Sequence, residues 1–239
     1  MDQDRQKKNA ARAALNEVQD GMVVGLGTGS TAAYFIQALS NRVHEENWRI
    51  ETVATSKESA ELARSLGLIV KDIDEVSAID LTVDGADEVD PKLNGIKGGG
   101  AALLFEKVVA LRSKKNVWLI DESKLSPRLG AFLLPVEVIE FGAQQVYRTF
   151  VHMGLHPRFR MQNERDRKKT DSGHNIIDLD ISAVADLSQL AEQLKSITGV
   201  VEHGLFLGIC DKAIIGSDPI KEIERPQRQS ADQRPVPTA

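Results

Sequence analysis

A chain of 239 residues has room for one or two domains with a sizeable core, and 41% hydrophobic with 27% charged residues is the composition of a globular protein. A formal net charge of −5 argues against an extended nucleic-acid footprint while leaving room for a small anion site. With Cys210 as the lone cysteine no intrachain disulfide can form, no run of about 18 apolar residues predicts a membrane span, and the opening MDQDRQKKNAARAAL lacks the apolar core of a secretory signal, so a cytoplasmic α/β protein is expected.

Ala11, Ala14, Leu15 and Val18 recur at helical spacing, with Gly21 as a stop. Residues 22–24 predict a buried strand, Gly25-Leu26-Gly27-Thr28-Gly29-Ser30-Thr31 a glycine-rich turn, and Ala32, Phe35, Ile36, Leu39 and Val43 the buried face of a second helix. A strand at 50–54 is followed by a helix capped by Ser56 and ending at Gly67, then by strands at 68–70 and 79–83. A helix over roughly 99–112 and a strand at 117–120 complete an alternating pattern. That pattern predicts a mostly parallel, Rossmann-like sheet with helices on both faces.

The pattern changes near Pro127. Residues 134–139 read as a strand, Ala143 to Val151 as a helix, 176–181 as a strand, Leu187 to Leu194 as a helix, and Val200 opens a last strand. This order is the split βαβ of a ferredoxin-like module. The expected division is 1–129 with 205–224 as a catalytic α/β domain, 130–204 as a smaller ferredoxin-like α+β domain, and 225–239 as a disordered tail. No internal repeat is present.

Three segments carry chemistry. GLGTGST lies between a strand and a helix, where bare glycine backbone, helix N-terminal amides and the hydroxyls of Thr28, Ser30 and Thr31 suit a phosphate; an unliganded tight turn is the bland alternative. The dinucleotide fingerprint and the P-loop both fail, because Ser30 occupies the wrong place, no acid ends the second strand, and no Gly-Lys-Ser/Thr closes the loop. The missing acid also weakens an S-adenosylmethionine methyltransferase. A monophosphate on a small molecule fits best.

VDGADEVD ends the strand at 79–83. Its acids are spaced by three, which excludes a calcium loop, and a magnesium site stays open. Glu88 and Asp90 read as solvated loop charge, whereas Asp84 and Asp87, at the sheet's C-terminal edge, are placed to bind hydroxyls and move protons. Lys97-Gly98-Gly99-Gly100 reads as an anion-stabilising nest or a flexible loop. Apolar residues surround the helix that follows, which predicts that it is largely buried. Glu106 within it is either a desolvated base or a structural ion-pair partner, and Lys107, about 100° round the helix, is no obvious mate for it. Together the parts suit proton abstraction beside a carbonyl, with Glu106 as base and Lys97 and the glycine amides on the enediolate oxygen, without metal or other cofactor.

GLGTGSTA, TVDGADEVD, IKGGGAALLFEK and DESK, in that order, closely resemble ribose-5-phosphate isomerase, type A. The resemblance runs from about Lys7 to Ser217. It implies metal-independent interconversion of ribose 5-phosphate and ribulose 5-phosphate in the pentose phosphate pathway, by a homodimer or homotetramer. By position, Glu106 matches the proton acceptor, and Thr28, Gly29, Ser30, Thr31, Asp84, Gly85, Ala86, Asp87, Lys97, Gly98, Gly99 and Gly100 match substrate-binding segments. Asp84, Asp87 and Lys97 would then help open the furanose ring. Lys124 in DESK matches a substrate-binding lysine, and either Lys7 or Lys8 reaches the phosphate unless both are plain solvated charge. Phe105 stands where relatives often have Arg, which is expected to desolvate Glu106 further. The charged stretch 163–169 is unusual for a strand of the small domain. A non-catalytic sugar-phosphate sensor is the rival class, but no spare segment could form its DNA-reading helix-turn-helix.

Overall fold

The computed structural model describes residues 2–226, so most of the expected tail lies outside it. Helix α1 (Gln3–Ala14) and a 3₁₀ turn (Leu15–Glu17) lead into β1 (Val23–Leu26), α2 (Ser30–Glu46), β2 (Glu51–Ala54), α3 (Lys57–Ser65), β3 (Ile69–Lys71) and β4 (Ile79–Gly85). Short strands β5 (Glu88–Val89) and β6 (Gly95–Ile96) precede α4 (Leu103–Leu111) and β7 (Ser113–Ile120). Next come β8 (Leu134–Val138), α5 (Ala143–His152), β9 (Arg158–Phe159), β10 (Asn175–Leu179), α6 (Leu187–Ser196) and β11 (Val200–His203). The described chain ends with β12 (Leu205–Phe206), β13 (Lys212–Ile215) and β14 (Lys221–Glu224).

The central sheet has the order β14-β13-β7-β4-β1-β2-β3 and is parallel except for β14. The chain winds from β1 outward to β3, then returns to place β4 on the other side of β1. The carboxyl ends of β1 and β4 therefore flank the switch point where open α/β sheets bind ligands. Leu26, Leu81, Val83, Val117 and Leu119 bury one face against Phe35, Ile36 and Leu39 of α2 and the alanines of α1. The other face takes α4, which lies so close that a Cβ on Gly25 would come within 2.9 Å of Val109 Cγ1. No helix is long and apolar enough to cross a membrane among the described residues.

A second, antiparallel sheet has the order β11-β8-β10-β9, with α5 and α6 packed through Val146, Phe150, Leu190 and Leu194 onto Val136, Val138, Ile177 and Leu179. Its β8-α5-β9-β10-α6-β11 connectivity is ferredoxin-like. A third sheet, β12-β6-β5, bridges the two and is too short in each strand to show as periodicity.

Several expectations are corrected. Helix α4 begins at Leu103, not near 99, because Gly98 (φ +105°) and Ala101 (φ +65°) hold left-handed conformations that no helix continues through. It is buried in large part, through Leu103, Glu106, Lys107, Val109 and Ala110, while Phe105, Val108 and Leu111 are 37%, 42% and 49% exposed. Glu88 is not solvated loop charge. It is 3% exposed, and its carboxylate accepts the backbone N–H groups of Gly130, Ala131 and Phe132 at 2.9–3.1 Å. Asp90 is a half-buried turn cap, accepting from Lys92 N and Asn94 N at 2.8 Å. The stretch 163–169 is no strand; the paired strand is upstream, at β9, and the charged residues form a hairpin closed by isolated bridges.

Candidate active site

A cavity of about 210 Å³ opens at the switch point, walled by Lys7 of α1, the turn after β1, the end of β4, the glycine run after β6, Glu106 of α4 and Lys124. At one end is the turn after β1. Gly29 has φ +93° and ψ −179°, a conformation that requires glycine, and it leaves the N-terminus of the 17-residue α2 without a side-chain cap. The first amides of α2 are thus unsatisfied donors beside a positive dipole end. Thr28, Ser30 and Thr31 line the same wall. Lys7 reaches in from α1 and donates to Ser30 Oγ at 3.0 Å, whereas Lys8 pairs with Asp4 on the surface. Lys124 closes this end from a 3₁₀ turn (Glu122–Lys124) whose cap, Asp121, accepts the Ser123 amide at 3.0 Å.

Beneath the cavity lies Asp84, 2% exposed, at the end of β4. Oδ1 accepts the N–H groups of Thr28 (3.0 Å) and Gly85 (2.7 Å), and Oδ2 meets the Lys97 ammonium at 2.9 Å. Gly27 makes this possible, since a Cβ there would lie 2.0 Å from Asp84 Oδ1. Asp87 instead lines the cavity with Gly85 and Ala86, and its Oδ2 accepts the Gly99 amide at 2.7 Å. A Cβ on Gly99 would sit 2.5 Å from Asp87 Oδ1, so any larger residue there would displace the Asp87 carboxylate.

Lys97 donates to Gly85 O at 2.6 Å, Asp84 Oδ2 at 2.9 Å and Glu106 Oε1 at 3.0 Å. Those three acceptors use its three protons. In this geometry the lysine orients two carboxylates and balances their charge rather than offering a spare donor. Burial works against its charge, but Asp84 and Glu106 outweigh that and hold its pKa above the ordinary lysine value.

Glu106 is 5% exposed and lines the cavity. While Oε1 is held by Lys97, Oε2 has no hydrogen-bond partner among the described residues. Burial pushes the carboxyl up to about 8; Lys97 opposes the shift and the charges of Asp84 and Asp87 add to it. Lys107 turns away and pairs with Glu202 at 2.9 Å. Phe105 also faces elsewhere, into a groove of about 680 Å³ between α3 and α4, so it is not what desolvates Glu106. That larger groove has an apolar floor of Val53, Val70, Ile73, Leu104 and Val108, and shares no residue with the cavity that holds the acids and glycine turns.

Two residues at the site had no local signal in the sequence. Arg160, just after β9, donates to the carbonyls of Gly98 (2.6 Å) and Gly99 (3.1 Å), while its guanidinium is clamped by both oxygens of Asp178. It fixes the peptide planes of the glycine run from the second sheet. Thr55, after β2, shares a 2.7 Å hydrogen bond with Thr28 Oγ1 and is fully buried. Among the described residues, no group of three or more His, Cys, Asp or Glu side chains could hold a metal ion.

Residues 51–219 match the family model described as ribose 5-phosphate isomerase A (phosphoriboisomerase A). A ribose-5-phosphate isomerase A of Streptococcus thermophilus is 50% identical over 222 residues, covering 92% of this chain and 98% of the relative. One from Streptococcus suis is 54% identical over 211 residues, covering 88% and 94%. A solved D-ribose-5-phosphate isomerase in complex with phospho-erythronic acid superposes with a TM-score of 0.91 at 38% identity, over 94% of this chain and 100% of that one.

Proposed function

The chain belongs to the ribose 5-phosphate isomerase A family, and from that premise we propose that it interconverts D-ribose 5-phosphate and D-ribulose 5-phosphate through an enediolate, with Glu106 as the base. One observation carries the assignment of the base: a buried carboxylate with one oxygen fixed by Lys97 and the other unpartnered at the cavity wall.

The phosphate is bound by the α2 N-terminus, Thr28 to Thr31, Lys7 and Lys124. Asp87, which faces the cavity, accepts the C1 hydroxyl proton as the C1–O4 bond of the furanose ring breaks and returns it to the departing ring oxygen, and Asp84 with Lys97 sets the charge beneath it. In the open-chain aldose, Glu106 Oε2 removes the proton from C2. The C2–H electron pair forms the C1–C2 double bond, and the carbonyl pair moves onto O1. The proton on O2 passes to O1, Glu106 returns its proton to C1, and C2 is left as the ketone. A positioned base contributes about 10²–10⁴ in rate. The raised pKa of Glu106 suits this, because a carboxylate of ordinary acidity holds a carbon-derived proton too weakly. The solved neighbour with phospho-erythronic acid holds a molecule with a phosphate and a carboxylate, the same two anionic ends as a pentose phosphate enediolate.

The division into a catalytic unit, 1–129 with 205–224, and a smaller unit, 130–204, is part of the same reading. So are a cytoplasmic site of action in the non-oxidative branch of the pentose phosphate pathway and a homodimeric assembly. The uncovered stripe of Phe105, Val108 and Leu111 supports assembly, and light scattering at micromolar concentration checks it. Ketose formation from ribose 5-phosphate in the presence of a chelator tests the reaction; substrate binding without turnover would overturn it.

A further inference from the structure

Lys107 is the neighbour of the proposed base in the chain, yet it serves another group of residues. It is 7% exposed. Its ammonium donates to His203 O at 2.6 Å and to Glu202 Oε1 at 2.9 Å, at the end of β11. Three residues on, the ring of Phe206 has its centroid 4.8 Å from Lys107 Nζ and 5.4 Å from Lys97 Nζ. The same segment grips the backbone of Lys97. Gly204 O accepts the Lys97 N–H at 2.9 Å, Leu205 pairs with Ile96, and a Cβ on Gly204 would lie 2.2 Å from Lys97 O. Residues 202–206 therefore hold Lys97 on one side and α4 on the other.

We propose that Lys107, Glu202 and Phe206 form a positioning clamp that sets the catalytic helix against Lys97. Adjacent helix positions point about 100° apart. Leu103, Val109 and Ala110 pack α4 onto its neighbours without directional contacts; the Glu106–Lys97 pair fixes its rotation at one charged point, and Lys107 tied to Glu202 and His203 fixes it at a second. The clamp keeps Glu106 Oε1 on the ammonium and Oε2 at the cavity wall. Phe206 fills the space between the two ammonium groups and presents a π-face to both, which reduces the cost of burying two cations near each other.

The inference rests on Glu106 being the base, and the test separates the two. Lys107→Met, Glu202→Gln and the double variant are made in the full-length chain. Melting temperature, kcat and KM for ribose 5-phosphate, and the isotope effect with substrate deuterated at C2 are measured. Glu202→Gln leaves the buried Lys107 ammonium without its carboxylate and loses stability, whereas in Lys107→Met the Glu202 carboxylate keeps Lys195 at 2.9 Å on its other oxygen and loses less; the double variant removes both buried charges and regains part of the loss. The clamp expects kcat to fall about tenfold to a hundredfold in all three, as a misplaced base does. It expects KM to change by less than about twofold and the isotope effect to rise as proton transfer becomes limiting. A double variant that regains wild-type kcat along with its melting temperature, or an unchanged isotope effect, would overturn the clamp. If Lys107→Met does not fold, Glu202→Gln and Phe206→Leu carry the same comparison. A Glu106→Gln chain that still turns over overturns the base instead, whatever the Lys107 variants do.

Discussion

The Lys97 ammonium and the Glu106 carboxylate lie 3.0 Å apart, both nearly sealed from solvent, and just one oxygen of the glutamate takes part. Asp84 shares the same ammonium at 2.9 Å. One cation thus serves two buried anions. A trio with a surplus negative charge in a dry site is relieved when one carboxyl takes a proton, and Glu106, with its unpartnered oxygen, is the one whose pKa rises.

That arrangement fixes a pH profile. With Glu106 as the proposed base, the reactive form is its carboxylate, so kcat/KM is expected to rise with pH along a limb centred on about 8 instead of the ordinary carboxylate range. Asp84→Asn removes a charge that raises this pKa and is expected to move the limb to lower pH in whatever activity remains. A limb near 4.5 in the wild-type chain would contradict the electrostatic reading.

The proposed phosphate end is expected to be separable from the chemistry. Lys7→Met and Lys124→Met each remove one charge-assisted donor, expected to raise KM about tenfold to a hundredfold with kcat little changed. Steady-state kinetics on each variant checks this. A loss confined to kcat would place these lysines elsewhere in the reaction.

Gly27→Ala tests the backbone argument. The added Cβ would fall 2.0 Å from Asp84 Oδ1 and 2.5 Å from Asp84 Cα, so β1 and β4 must part or the carboxylate must turn. A loss of about 1–3 kcal/mol is expected from overpacking. Gly29→Ala offers the contrast, since its Cβ meets nothing within 4 Å and the cost there is the φ of +93° alone. Equal melting temperatures for wild type and Gly27→Ala would sink the packing account.

His203 gives a stability prediction. Burial first, then the charge of Lys107, pushes its pKa down to about 4, with Glu202 opposing. Between that value and the ordinary histidine range near 6.5, the unfolded chain binds a proton that the folded chain refuses. Stability is therefore expected to climb as pH rises through this window and to level off above it. Denaturant melts from pH 4 to 7 measure the slope, and His203→Asn is expected to flatten it. An unchanged slope in that variant would assign the effect to other groups.

Much of this was legible in the residues because it is local. Ser56 caps α3 by accepting the Ser59 amide, as a Ser before an apolar stripe should. Alternating strands and helices point to the parallel sheet, and the glycine turn after β1 leaves the α2 N-terminus without a side-chain cap, as its residues suggest. What was hidden is non-local. Glu88 looks like loop charge until residues 130–132 fold over it, more than forty positions away. Arg160 reads as one basic residue among several until the second sheet brings it to Gly98, 62 positions away. The start of α4 was misplaced because GGGAALL has no helix breaker beyond its glycines, and the left-handed Ala101 is imposed by the turn it completes. The role of the glycines is also mixed: Gly25 and Gly27 serve close packing, and Gly29 serves a left-handed turn that leaves α2 uncapped.

The measurement closest to the central claim is hydrogen exchange at C2 of ribose 5-phosphate in D₂O, followed by NMR for the wild-type chain and for Glu106→Gln. The wild type is expected to wash deuterium into C2, while the variant, still binding substrate, exchanges at least about 10²-fold more slowly. Exchange at the wild-type rate in Glu106→Gln would show that another group takes the proton.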